Sequence, residues 1–372
     1  AAGRLFETIF ALPYLTALFA GAGVVVFYTL VGGFLAVSRT DFIQGVMMFF
    51  AILVVPVGAA IMLGGFGATA DLIYAEHASF FSPLTKVDGS TLGLIEFVSL
   101  MAWGIGYFGQ PHIIVRFMAL RTPEDAKAGR RIGMSWMLLT VVGSISTAFV
   151  GVAYFATHPE VSLTDKESAE TVFLDLAQIL FHPFIAGMIL AAVLAAIMST
   201  LSSQLVVCSS ALVEDLYGVF VKKKLSANQS LWLGRAGVAI VAVIATLMAL
   251  DKNNSILSLV EFAWAGFGSA FGPIVILSLY WRKLTLPGAV SGMIVGAVVT
   301  FFWRQVFNLT ETIEVYEMIP GFFLAFLVTV VVSLSTYQKN DKIEQEFEEA
   351  ANLAKLTTAG LPAKEEEQAA KA

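Results

Sequence analysis

Residues 191–217 read AAVLAAIMSTLSSQLVVCSSALVEDLY. The stretch has the length and apolarity of a membrane helix, yet Ser199, Thr200, Ser202, Ser203 and Gln204 interrupt it midway. An unpaired hydroxyl in hydrocarbon is costly, so a cluster of them must face protein, water or a ligand. At helical spacing the hydroxyls at 199, 202 and 203 share one face, while 200 and 204 share the next. Hydroxyl and carbonyl oxygens are the hard donors that a small alkali cation takes. The stretch therefore reads as one wall of an ion site inside a transporter. The alternative is that each hydroxyl bonds the carbonyl one turn back or joins two helices. Hydroxyls carry no charge, so a complete ion site needs partners from another helix.

The surroundings fit a membrane protein. Hydrophobic residues make up 58% of the 372, charged residues 13%, and the mean hydropathy is +0.81, far from soluble averages. Apolar runs long enough to cross a bilayer lie near 14–33, 42–65, 92–115, 132–156, 183–213, 231–250, 256–281, 285–303 and 319–337. They exceed the length of barrel strands, and lipid satisfies no backbone group, so nine membrane helices are expected. Alternate loops carry Arg39; Arg116, Arg121, Lys127, Arg130 and Arg131; Lys222 to Lys224; Arg282 and Lys283; Lys339 and Lys342. The opposite loops hold only Lys86, Lys166, Lys252 and Arg304. Positive residues collect on the cytoplasmic side, which places the C-terminus inside.

Other chemistries are poorly served. Cys208 is the single cysteine, and His77, His112, His158 and His182 are scattered without zinc-ligand spacing. No nucleophile–base set stands in the helices, which argues against an enzyme. The short basic loops do not form a nucleic-acid surface. After Asn340 the chain is acidic, reading as a short amphipathic helix followed by disorder through Glu365 to Glu367. The opening AAGRLFETIF lacks an initiator Met and a signal pattern, as expected of a chain that begins partway through a larger protein.

Two further segments are candidates. Trp103–Pro111, WGIGYFGQP, places three glycines and a proline in nine residues. Such a sequence weakens a helix, and broken membrane helices expose backbone groups that bind substrates and ions. Trp103 and Tyr107 share a face and could wall a cyclic or apolar substrate; close helix packing is the alternative. Phe262–Pro273, FAWAGFGSAFGP, repeats the texture, and its Trp264, Phe267 and Phe271 form a stripe expected to be a packing surface. Glu96 and Glu261 are expected at outer helix ends, reaching water, with proton coupling the alternative. Asp41 is expected at a helix start, stabilised by the macrodipole.

These segments together resemble the sodium/solute symporter family. The likeness rests on GGFLAVSRTD at 32–41, WGIGYFGQPHIIVRFMA at 103–119, AQILFHPFIAGMILAAVLAAIMSTLSSQLVVCSSALVEDLY at 177–217, FAWAGFGSAFGP at 262–273 and IPGF at 319–322. It extends through nearly the whole chain up to the acidic tail. The resemblance implies an all-α, LeuT-type inverted-repeat core: a membrane domain over 1–340, a second repeat over about 92–281, and a cytoplasmic tail over 341–372. It implies sodium-coupled symport of L-proline into the cell, in the bacterial inner membrane, with no cofactor. The rivals are a symporter for another small amino acid or carboxylate, and the membrane part of a solute sensor. Carried over by motif, Ser199 and Thr200 are the expected sodium ligands, and Trp103, Tyr107 and Pro111 the expected proline-site residues. Gly187, Asp41 and Arg116 are expected in gating or coupling. The family's first broken helix, which supplies opposing carbonyls and an aspartate, has no counterpart in this sequence.

Overall fold

The computed structural model describes residues 2–10, 12–86, 88–158, 169–217, 226–250 and 256–359. Lys166, Lys222 to Lys224, Lys252 and the tail beyond 359 lie outside them. The described residues are nearly all helical, in the order α1 (Ala2–Phe10), α2 (Tyr14–Met62), α3 (Phe66–His77), α4 (Leu94–Ala102), α5 (Pro111–Met118) and α6 (Pro123–Thr157). Then come α7 (Val172–Leu180), α8 (Pro183–Ser210), α9 (Ala227–Met248), α10 (Ile256–Tyr280), α11 (Leu286–Phe301), α12 (Leu309–Thr312), α13 (Met318–Thr336) and α14 (Asp341–Ala359). The chain divides into two compact units, residues 1–91 with 133–256 and residues 92–132 with 257–372.

Eight apolar stretches among the described residues are long enough to span a membrane. Two expectations change. The run at 92–115 is not an unbroken span: α4 tightens into a 3-10 segment, Trp103–Gly109, and the backbone is extended at Gln110 before α5 begins. Glycines at 104, 106 and 109 weaken the helix, and Pro111 offers no amide donor there. The runs at 14–33 and 42–65 are not two helices but one of 49 residues, about 73 Å long at 1.5 Å per residue. No proline falls between 34 and 41, and the Thr40 hydroxyl bonds back to the Val37 carbonyl at 2.9 Å, so nothing stops the helix. The two apolar stretches, Tyr14–Val31 and Val37–Met62, follow one another along it. Asp41 therefore lies inside a helix and not at its start.

In the first unit α8 lies against α2, flanked by α1, α7 and α9. Val55, Leu176, Ile189 and Ala192 form one buried cluster, and Val25, Leu205, Val238 and Ala242 another. Lipid tails are as apolar as leucine, so helices associate through close packing more than through burial from water. Small residues provide it. Gly58 receives the Phe181 ring, Gly143 meets the Ile52 carbonyl, and Gly237 meets the Ser209 hydroxyl, which donates to the Gly234 carbonyl at 2.6 Å.

In the second unit α11 and α13 pack along a glycine ridge. A side chain at Gly288 would collide with Ser333, one at Gly292 with Thr329, and one at Gly296 with the Ser269 carbonyl on α10. Thr285 caps α11, its hydroxyl accepting from the Gly288 amide at 3.3 Å, while its own amide donates to the Ser333 hydroxyl at 3.2 Å. Gly292→Leu should cost about 1–3 kcal/mol through overpacking. A fall in the midpoint of thermal unfolding in detergent would register it, and an unchanged midpoint would show that the helices part easily.

α14 continues the second unit as the amphipathic helix expected after Asn340. Glu344 accepts from the Tyr337 hydroxyl, and Glu348 pairs with Arg282 at 3.7 Å. Both partners of that pair are exposed, where ion pairs contribute little.

Candidate functional site

The hydroxyl cluster of α8 forms a ladder. Ser199 Oγ and Thr200 Oγ1 both donate to the Ala196 carbonyl, at 2.9 and 3.1 Å, and Ser202 Oγ donates to the Ser199 carbonyl at 3.1 Å. Back-bonding of this kind engages each proton within the helix and leaves the oxygen lone pairs directed outward. Two hydroxyl oxygens on successive residues, each with its proton turned to the same carbonyl, are the donor type a sodium ion takes. Thr200 and Gln204 line a cavity of about 460 Å³ together with Tyr14, Ala22, Ala245 and Thr246. The face shared by 200 and 204 is thus the open one.

The remaining hydroxyls lock α8 to α2. Ser203 Oγ donates to Asp41 Oδ2 at 3.1 Å, and the Tyr28 hydroxyl donates to the Met198 carbonyl at 2.8 Å. Asp41 had an explanation in the helix macrodipole; its position mid-helix removes that and replaces it with a carboxylate beside the ladder. The two residues are 162 positions apart, so no local pattern announces their meeting. Gly187 is exposed near the start of α8, with open space where a side chain would go. It lies 13 residues before Thr200, about 20 Å along the helix axis, and takes no part in the ladder.

The second unit holds the aromatic candidates. The Trp103 ring lies nearly parallel to that of Trp264, with centroids 5.3 Å apart and planes at 12°, and the Trp264 indole N–H donates to the Trp103 carbonyl at 3.0 Å. Tyr107 meets Trp264 edge-on at 4.8 Å. Trp264, whose stripe is expected to be a packing surface before a gate, packs at the centre of the group to which both Trp103 and Tyr107 belong.

The glycines permit this approach. A side chain at Gly106 would strike the Trp264 ring, and one at Gly109 the Phe267 carbonyl. Gln110, which the sequence did not single out, is 2% exposed; its Nε2 donates to the Gly106 carbonyl at 3.1 Å and the Trp264 carbonyl at 3.2 Å. The polar glutamine between Gly109 and Pro111 was the available signal. Pro111 opens α5, where its missing amide costs nothing, and Arg116 is exposed in the last turn of the same helix.

Close by, Arg304 donates to the carboxylate of Glu317, which is fully buried, at 2.7 Å, and to the Ser258 hydroxyl at 2.8 Å. Thr310 donates to the second Glu317 oxygen at 2.9 Å, and Glu261 lies 3.9 Å from Arg304. Glu261, expected to reach water, is partly exposed at the edge of this network. Glu96 accepts from the Gly93 amide at 2.9 Å and caps α4. The Tyr316 hydroxyl donates to the Glu261 carbonyl at 2.8 Å. Burial, with the Glu317 and Glu261 carboxylates nearby, holds the Tyr316 phenol well above its ordinary range, so it stays neutral.

The profile of the sodium:solute symporter family matches residues 1–296. The chain belongs to that family. It is 45% identical over 350 residues to the sodium/proline symporter of Escherichia coli, an alignment covering 94% of this chain and 68% of the relative. It is 47% identical over 345 residues to the high-affinity proline transporter PutP of Bacillus subtilis, covering 93% and 70%. A substrate-bound, outward-open Na+-coupled sialic acid symporter superposes with a TM-score of 0.71 at 16% identity, covering 91% of this chain and 70% of that one. At that identity the likeness establishes the fold, the LeuT-type one implied by the sequence. With eight span-length apolar stretches among its described residues, this member of the sodium:solute symporter family is a multi-pass membrane protein and a secondary transporter, not an enzyme.

Proposed function

We propose that the protein couples sodium entry to L-proline uptake across the bacterial inner membrane, with its C-terminus in the cytoplasm. The observation that carries this is the 41–48% identity to proline transporters along nine-tenths or more of the chain. In this reading Ser199 and Thr200 are sodium ligands on α8, and Asp41, joined to the ladder through Ser203, serves coupling. Trp103, Tyr107 and Pro111 belong to the proline site, with Gly187 in gating and Arg116, like Asp41, in coupling. The second inverted repeat runs over about 92–281, and the acidic segment from 341 is a cytoplasmic appendage. The excess of Lys and Arg in alternate loops supports the orientation.

The chemistry suits proline. Its ring is small, apolar and rigid, matching the flat indole and phenol surfaces of Trp103 and Tyr107. One cation moving through 100 mV yields about 2.3 kcal/mol. A tenfold sodium gradient adds about 1.4 kcal/mol. Together they allow roughly 500-fold accumulation at one sodium per proline. Rocking of the helix bundle around a midplane site would deliver it.

The test is uptake of labelled proline by cells producing the protein, with and without a sodium gradient. Sodium-dependent accumulation displaced by unlabelled proline is expected. Displacement by another amino acid or a carboxylate, and not by proline, would reassign the substrate. Trp103→Ala should raise KM for proline about five- to tenfold with little change in maximal rate. An unaltered KM would remove Trp103 from the proline site.

A further inference from the structure

The segment after α11 is held down at many points. Arg304, in the wide turn that ends α11, pairs with Glu317, whose other oxygen accepts from Thr310. The Trp303 indole N–H donates to the Val315 carbonyl at 3.0 Å, and Ser99 on α4 bridges two backbone groups of the segment. Its hydroxyl donates to the Glu314 carbonyl at 3.1 Å and accepts from the Tyr316 amide at 3.2 Å. Asn308 and Glu314 adopt left-handed backbone, with φ of 48° and 56°. That conformation is uncommon outside glycine, and surrounding bonds must maintain it.

What all this bonding holds in place is Tyr316. Its hydroxyl is fixed to the Glu261 carbonyl, and its ring lies parallel to that of Trp103, with centroids 6.4 Å apart and planes at 10°. Trp103 is therefore parallel to two rings, Tyr316 and Trp264, each anchored by its own hydrogen bond to backbone. A tryptophan on a 3-10 segment rich in glycine has little local restraint, because glycine neighbours offer no side chains to pack against. The restraint comes from the rings.

We infer that Tyr316 is a positioning residue of the substrate site, setting the plane of Trp103 from a segment that the Arg304–Glu317 pair clamps. The inference rests on Trp103 being a proline-site residue. Tyr316 need not touch substrate. An untethered indole must be ordered when substrate arrives, and that ordering weakens binding. Removing the Tyr316 ring should therefore raise KM and spare the rate at saturating proline.

Tyr316→Leu, Tyr316→Phe and Trp103→Ala should be compared for sodium-dependent proline uptake, normalised to protein in the membrane. An aromatic pair of this kind corresponds to about a two- to tenfold change in an equilibrium constant. Tyr316→Leu should raise KM by about threefold, within that range, with maximal rate nearly kept. Tyr316→Phe keeps the ring and the segment's other anchors, and should restore a KM close to that of the unmodified protein. If the leucine protein does not reach the membrane, Tyr316→Met is read in its place. An unchanged KM in the leucine or methionine protein, beside a raised KM in Trp103→Ala, would overturn this inference and leave the proline-site assignment standing. Equal rises in the phenylalanine and leucine proteins would also overturn it, because the hydroxyl and not the ring would then matter. An unchanged KM in Trp103→Ala would remove the assignment on which the inference rests.

Discussion

Replacing Thr200 by alanine should raise the sodium concentration for half-maximal proline uptake by about 10- to 100-fold. A polar contact to a charged group is worth about 1.5–3 kcal/mol, and 1.4 kcal/mol is a factor of ten. Thr200 faces the cavity beside α8, and its proton is already engaged with the Ala196 carbonyl, so the oxygen is the part available to a cation. Thr200→Ser keeps that oxygen and should keep most of the sodium affinity. At saturating sodium, the alanine protein should approach the ordinary KM for proline. If the sodium dependence of Thr200→Ala matches that of the unmodified protein, the Thr200 hydroxyl serves only its bond to the Ala196 carbonyl.

The second large effect belongs to stability. Arg304→Met leaves the Glu317 carboxylate buried with only the Thr310 hydroxyl as partner. Breaking a buried pair from one side costs about 3–5 kcal/mol, because the remaining charge has lost its compensation. The midpoint of thermal unfolding in detergent should fall accordingly. Adding Glu317→Gln removes the stranded charge and should recover much of the loss. A double variant no more stable than Arg304→Met would mean that the guanidinium acts through Ser258 or Phe262, over whose ring it lies at 5.8 Å, and not through Glu317.

Much of this was legible in the sequence because membrane segments announce themselves. Apolar runs located eight of the nine spans, to within a turn or so at most ends, and a proline following three glycines marked the break at 103–111. The two stretches at 14–33 and 42–65 both stand, but the loop expected between them, where Ser38, Arg39 and Asp41 are polar, does not. Polarity is not a helix breaker, and the backbone runs straight through. The short helices α1, α3 and α7 escaped notice, being shorter than the span-length runs that were sought. Within the candidate site, the hydroxyls of α8 were visible as an anomaly of composition. The link from Ser203 to Asp41, the two bonds of Gln110 and the pairing of Arg304 with Glu317 were not. Each depends on residues brought together by tertiary packing, and a single chain of letters carries no distance between them. Trp264 does pack, as its helical stripe with Phe267 and Phe271 suggests, but the stripe told nothing of its partner being Trp103.

The glycine ridge of α11 also has a mechanical meaning. With Gly288 and Gly292 seated on Ser333 and Thr329, the helix has no neighbouring register to slide into, since a shift of one residue would drive Ala289 or Met293 against the same hydroxyls. Helices α11 and α13 therefore behave as a stiff beam. A beam can tilt, but it cannot shear along its length. The run from α4 to α5 is built the other way: it is interrupted at Gln110, where the backbone is extended and no continuous helix resists bending.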